Sequence, residues 1–412
     1  MPFTPVTTLD PETLKNAEQT LCDVFGVHSL YPHQVQAGQN ILRGITTLLD
    51  IPTGGGKTLA FWYALFYHWQ PGNEDANARK IVLVIGPLVA LLQAQARSLN
   101  EKGIPAVALT GDSKNLEEDM IVRAPVDAFF RVGLLGPEMA LSPEFHEHVL
   151  NAIPFTGNII CLVIDELHCI CEWGTDDFRP EYAELVKLAA RLPTGLPILG
   201  ATATAPRDVI KTILNNLGLD EDTKCIQVKN EKMNMSLSVR ILQHEPQSFA
   251  DLLLLFDADD PGEFAQTLIY ANGRQDAEKM QDFLRDNAPE GFELTKAFEF
   301  YHRNIDEGQK ITIQARIESG ELRCSPSTDA LGLGMDFRKI LRVLLWMLPR
   351  TFLSLVQKLC TNFLGKQIHR KFLEQLRYGH CRVAGQDGLN CAALLPEYLS
   401  ESVGNKVLLR VL

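Results

Sequence analysis

The chain has 412 residues, 46% hydrophobic and 22% charged, which is the balance of a folded globular protein with room for two or three cores and not of a disordered or fibrous one. Asp and Glu outnumber Lys and Arg by 51 to 39, and the resulting net charge of −12 speaks against coating nucleic acid by bulk charge while leaving local basic patches open. Nine cysteines without a Cys-x-x-Cys pair argue against a disulfide framework or a zinc ribbon, and no run reaches the roughly 18 apolar residues of a membrane span.

Met1-Pro2-Phe3-Thr4 lacks the basic and apolar regions of a secretory signal. The expectation is a soluble intracellular protein, nuclear if its source is eukaryotic, with no membrane partner. Short apolar runs then alternate with amphipathic stretches, as in parallel α/β proteins. Strands are expected at 46–51, 80–85, 106–109, 128–135, 158–164 and 197–200, and their unbroken Val/Ile/Leu character suits strands covered on both faces. Helices are expected at 59–69, 88–102, 180–192 and 206–217, the last with Pro206 at its first position.

Residues 218–236 turn polar and read as a connector, so the chain divides into lobe 1 at 1–228 and lobe 2 at 229–412. The second lobe repeats the alternation, with strands at 267–270 and 342–346 and a helix at 274–284. Between Arg338 and Arg382 ten Lys and Arg face one acid, Glu374, the most basic stretch of the chain. The expected fold class is α/β, two tandem lobes that each hold a mainly parallel sheet flanked by helices.

The first strand runs into Pro52-Thr53-Gly54-Gly55-Gly56-Lys57-Thr58 and then an apolar, aromatic helix. A glycine-rich turn between strand and helix lets backbone N–H groups close around phosphate oxygens, and the helix dipole adds positive potential. Lys57 would neutralise the β and γ phosphates of ATP, and Thr58 would offer its hydroxyl to Mg²⁺. Ile51 stands where the strict phosphate-loop pattern has its first glycine. The apolar run 159–164 ends in Asp165-Glu166, as a metal site at a strand end requires: Asp165 would hold Mg²⁺ and Glu166 would orient or deprotonate the attacking water.

Asp165-Glu166-Leu167-His168 is a DExH box, and the residues that follow, Cys169 through Trp173-Gly174-Thr175-Asp176-Asp177-Phe178-Arg179 to Tyr182, resemble the aromatic-rich loop of the RecQ family of superfamily 2 DNA helicases. Aromatic and guanidinium planes stack on unpaired bases of any sequence. Other motifs resemble the family in the expected order. Tyr31-Pro32-His33-Gln34 is similar to the adenine-reading motif, with Tyr31 where family members usually carry Arg. Gly86 to Gln95, Leu135-Gly136-Pro137-Glu138 and Gly200-Ala201-Thr202-Ala203-Thr204 resemble the next motifs. Ile269-Tyr270-Ala271-Asn272-Gly273-Arg274 and Ser327-Thr328-Asp329 to Asp336 resemble those of a second RecA-like lobe.

The resemblance implies two RecA-like lobes with a nucleotide cleft between them, ATP and Mg²⁺ as cofactors, and ATP-driven 3′–5′ translocation on single-stranded DNA with unwinding at duplex junctions. It assigns catalysis to Lys57, Asp165, Glu166 and His168. Nucleotide contacts fall to Tyr31, Gln34, Thr53 through Thr58, Gly332 and Asp336, where the Gln34 amide would read adenine and Tyr31, in place of the family's usual Arg, could stack on it instead. DNA contacts fall to Trp173, Phe178, Arg179, Asn272, Arg274 and Thr328.

One motif departs from the family. After Lys358 a G-R-x-G-R arginine motif is expected, but the chain reads Leu359-Cys360-Thr361-Asn362. The nearest equivalent, Gly379-His380-Cys381-Arg382, comes some twenty residues late, which leaves lobe 2 incomplete or interrupted near 359–390. Arg382 is the remaining candidate for an arginine finger, a group worth about 10³ to 10⁵ in rate in related phosphoryl-transfer enzymes. The competing reading is a nucleotide- and DNA-binding module with little or no turnover.

Overall fold

In a computed structural model of the chain, the described residues are 2–52, 54–75, 78–110, 130–172, 180–203, 207–219, 222–228, 237–256, 264–331, 337, 339–347, 382–383 and 407–411. They form two units, Met1–Val228 and Lys229–Leu412. No helix among them is long and apolar enough to cross a membrane.

The first unit is built on seven strands: β1 (Thr47–Asp50), β2 (Ile81–Ile85), β3 (Ala106–Leu109), β4 (Val132–Leu135), β5 (Ile159–Ile164), β6 (Ile198–Thr202) and β7 (Lys224–Gln227). Their order across the sheet is β3-β4-β2-β5-β6-β1-β7, and every pairing is parallel. Apolar side chains project from both faces. In β2, Val82 and Val84 join one core with Phe61, Trp62 and Phe66, while Ile81, Leu83 and Ile85 join the other with Phe145, Leu185 and Leu188. A strand that buries both faces has no use for polar alternation, and β2 and β5 are accordingly buried at every position.

Helix α1 (Pro11–Phe25) is fixed at its start by Asp10, whose carboxylate accepts from Thr13 N at 2.8 Å, and ends on Gly26 in the left-handed region. It packs with α2 (Pro32–Leu42) on α3 (Lys57–His68), the helix that leaves the glycine turn. α4 (Val89–Glu101) covers β3 and β4.

Two local expectations change. Part of the expected connector is β7, paired with β1 from Thr47↔Lys224 to Asp50↔Gln227. Its pattern is exposed except for Ile226, so only one side chain marks it as a strand of an edge. The single helix expected at 180–192 is a 3₁₀ turn, Pro180–Tyr182, followed by an α-helix, Leu185–Arg191, with Tyr182 fully buried at the break.

The second unit carries β8 (Leu237–Ile241), β9 (Thr267–Tyr270), β10 (Cys324–Ser327), β11 (Arg342–Trp346), β12 (Arg382–Val383) and β13 (Val407–Val411), in the order β10-β9-β11-β13-β8-β12. β13 runs antiparallel to both neighbours, and the other pairings are parallel. Helices Arg274–Asn287 and Glu307–Ser319 accompany this sheet. The core holds an aromatic group of Phe256, Phe264, Phe292 and Phe298.

Candidate functional site

Ligands of parallel sheets bind beyond the carboxyl ends of the strands, and the strand order decides which motifs meet there. β6 lies between β1 and β5, so the glycine turn after β1 and the DExH box after β5 flank the end of β6. Thr202, the last residue of β6, joins them. Its carbonyl accepts from Ile51 N at 2.9 Å, and its hydroxyl lies 3.0 Å from His168 Nδ1. The box is pinned further by Asp165 N donating to Ile85 O at 2.9 Å and Leu167 N donating to Ala201 O at 2.8 Å.

The glycine turn needs its glycines. Gly54 and Gly56 have φ of 79° and 78°, and a Cβ at Gly55 would lie 2.5 Å from Ile51 Cγ2 and 2.9 Å from Pro52 O. Gly55 N donates to Pro52 O at 2.9 Å, and Lys57 opens α3 with its amine folded back toward Ile51 O at 3.3 Å. Thr58 stands exposed in the first turn of α3.

The start of α2 holds this turn from the side. His33 Nε2 lies 2.9 Å from Gly55 O, and Gln34 Nε2 donates to Gly56 O at 2.7 Å. Burial holds the His33 imidazole below its ordinary proton affinity, which suits a neutral ring donating to that carbonyl. Gln34 is buried, and its Oε1 accepts from Tyr31 N at 2.7 Å, half of a capping box. The amide expected to face adenine is therefore turned into the protein, because the helix start and the glycine turn both present backbone groups to it. Tyr31 stands exposed, stacked on His33 at 5.3 Å and 15°.

Glu166 has a φ of 47°, unusual for a residue with a side chain, and its N–H donates to Asp165 Oδ1 at 2.9 Å. His168 is buried, with Nδ1 3.5 Å from Glu166 Oε2. The Asp165 carboxyl is pushed up to about 6, first by burial and then by the charge of Glu166, against the pull of Lys57. Burial also raises Glu166, again opposed by Lys57. Two adjacent carboxylates whose ionisation is held back are stabilised by a divalent cation placed between them and phosphate. The donor set Asp165 with Thr58, next to a glycine cradle and Lys57, fits Mg²⁺ and a nucleoside triphosphate.

In the second unit three expected DNA-contacting residues lie beyond the carboxyl ends of two neighbouring strands. Asn272 and Arg274 follow β9, Thr328 follows β10, and the two strands pair in parallel up to Tyr270↔Ser327. Ala271 N donates to Ser327 O at 2.8 Å, and Thr328 N donates to Tyr301 O at 3.1 Å. Asn272 and Arg274 are exposed.

Thr53, Trp173, Phe178, Arg179, Gly332 and Asp336 lie outside the described residues. Arg382 is described in its backbone, paired with Ser238 in the second sheet. The sequence reading missed two residues of the site, His33 and Thr202. His33 could have been found from its place beside Gln34, whereas Thr202 sat inside a quoted motif with nothing to single it out.

A DEAD/DEAH box helicase model matches residues 31–213. The probable ATP-dependent DNA helicase RecS of Bacillus subtilis (strain 168) is 29% identical over 343 residues, 83% of this chain and 63% of that protein. The ATP-dependent DNA helicase RecQ of Synechocystis sp. is 26% identical over 351 residues, 84% of this chain and 67% of that protein. The solved structure of the DUF1998 helicase MrfA bound to DNA and AMPPNP is similar at a TM-score of 0.65 and 18% identity, over 89% of this chain and 51% of that one. That likeness is one of fold. The chain spans less than two thirds of the length of RecS.

Proposed function

We propose that the chain, whose residues 31–213 match a DEAD/DEAH box helicase model and which is similar to the helicases RecS and RecQ, is an ATP-dependent DNA helicase that moves 3′ to 5′ on single-stranded DNA. The observation that carries this reading is Thr202, hydrogen-bonded both to the strand that feeds the glycine turn and to His168 of the DExH box. Through it, a change at the nucleotide's phosphates reaches the strand end shared by both motifs.

The roles follow from position. Lys57 would neutralise the β and γ phosphates. Thr58 and Asp165 would hold Mg²⁺, which when bound supplies charge neutralisation at the phosphates. Glu166 would take or orient the proton of the attacking water, and its raised proton affinity suits a base. Asn272, Arg274 and Thr328 would contact the DNA strand, and Trp173, Phe178 and Arg179 would stack on its bases. Arg382 would serve as the arginine finger. The place of work is the nucleus if the source is eukaryotic.

The test is ATP hydrolysis by the full chain with and without single-stranded DNA, alongside Lys57→Ala and Arg382→Ala, and strand displacement on duplexes with 3′ or 5′ overhangs. DNA-stimulated hydrolysis that Lys57→Ala reduces at least 100-fold, with displacement only from the 3′ overhang, supports the proposal. A parent that binds ATP without turning it over points to the nucleotide-binding module instead. An active enzyme indifferent to Arg382→Ala removes that residue from the mechanism.

A further inference from the structure

A buried cation is costly unless acceptors and an opposite charge meet it, so a buried guanidinium with neither in its own chain points to a ligand that supplies them. The motifs of the first unit crowd the carboxyl ends of its strands. Such a guanidinium stands at the opposite ends.

Arg131 comes immediately before β4 and is 4% exposed. Its backbone is engaged on both sides: its N donates to Pro105 O at 2.8 Å, and its O accepts from Val82 N at 2.9 Å. Its side chain is not, for Nε and Nη1 are buried and meet no acceptor among the described residues. The guanidinium carbon lies 4.9 Å from the ring centroid of Trp69, a buried indole fixed by its N–H donating to Asn73 O at 2.8 Å. An aromatic face attracts the cation but accepts none of its in-plane N–H groups.

The neighbouring charges add to the demand. Arg79 and Lys80 lead into β2, which pairs with β4. Burial first, and then the charge of Arg79, push Arg131 down to about 10. Burial, and then the charge of Lys80, push His68 at the end of α3 down to about 4. Each group thus feels a cation, and no acid among the described residues opposes it. Glu74 and Asp75, in the turn that joins α3 to β2, are exposed. A chain of net charge −12 therefore holds a local positive centre here.

We infer that Arg131, set over Trp69 with Arg79 and Lys80 at the head of β2, is a binding site for a small oxyanion of the phosphate class, separate from the nucleotide site. A guanidinium offers such an ion fixed charge and directed N–H donors. Its near-complete burial suits a compact ion and not a continuous DNA strand. The inference is independent of the helicase reading.

The experiment titrates inorganic phosphate, against chloride at matched ionic strength, into the full chain carrying Lys57→Ala, which removes the amine of the glycine turn. The same chain with Arg131→Met or Arg131→Lys added is compared by calorimetry and melting temperature. Saturable phosphate binding that raises the melting temperature is expected, weakened about tenfold or more by Arg131→Met. Arg131→Lys keeps a cation over Trp69 but loses the planar donors, and should weaken binding about threefold. It decides the matter if the methionine variant does not fold. No saturable binding, or binding that neither change at Arg131 alters, would overturn the inference. Arg131→Met that lowers affinity for a short single-stranded DNA while phosphate binding stays intact would identify a nucleic-acid contact and overturn it as well.

Discussion

The hydroxyl of Thr202 lies 3.0 Å from Nδ1 of His168, across 34 residues of sequence, and it fastens the DExH box to the end of β6 inside the protein. Thr202 is 3% exposed and His168 1% exposed, so water is a poor substitute for either partner. Thr202→Val keeps the shape and removes the hydroxyl. The expected result is a loss of about 1–3 kcal/mol in stability and a lower rate of ATP hydrolysis, while Thr202→Ser stays near the parent. Urea denaturation and steady-state hydrolysis check this, and a Val variant equal to the parent in both would show that the contact is incidental.

The Asp165 carboxyl binds its proton more tightly in the folded chain, at about 6 against an ordinary 3.8, for burial and the Glu166 charge both oppose ionisation. In the window between these values the folded state holds more protons than the unfolded state. Stability from this group is therefore fully present below about 4 and is lost as pH rises through about 6. In metal-free protein, melting temperatures should fall more steeply over this window for the parent than for Asp165→Asn. Glu166→Gln removes the neighbouring charge and should move the fall to lower pH. Parallel melting curves for parent and Asp165→Asn would refute the assignment.

Gly200 lies under the DExH box. A Cβ there would stand 2.5 Å from Leu167 Cδ2 and 2.8 Å from Leu48 Cδ2, both buried. Gly200→Ala should cost about 1–3 kcal/mol by overpacking. Since Leu167 is inside the box, hydrolysis should fall more than nucleotide affinity. Thermal melting and nucleotide titration separate the two effects, and a variant with parental stability would mean that Leu167 repacks freely.

Arg285 clamps the second unit through two bonds to one acceptor, Nε at 3.1 Å and Nη2 at 2.7 Å from Phe298 O, with the Phe298 ring fully buried in the aromatic group. Arg285→Ala should destabilise that unit by about 1–3 kcal/mol, and Arg285→Lys should recover only part because one amine cannot replace the fork. Calorimetry should show this loss with ATP affinity unchanged. An equal loss of ATP affinity would contradict a role confined to the second unit.

Much of this protein is legible in its order of residues. The strands at 106–109, 267–270 and 342–346 are found where expected, since an unbroken apolar run between polar turns is a local signal. The candidates Lys57, Thr58, Asp165 and Glu166 are likewise chosen from local context, a glycine turn between strand and helix and an acid pair at a strand end. The polar edge strand β7 gave no such signal, having one buried side chain in four.

What the sequence determined by itself was the set of motifs and their family resemblance. What only the tertiary structure decided was which of those motifs touch. The insertion of β6 between β1 and β5 brings Thr202 to His168 and to Ile51, and the start of α2 brings His33 and Gln34 to Gly55 and Gly56. These partners are set by the crossovers of a folded sheet, and a hydrogen bond across 22 or 34 residues leaves no periodicity for a reader of the chain to find.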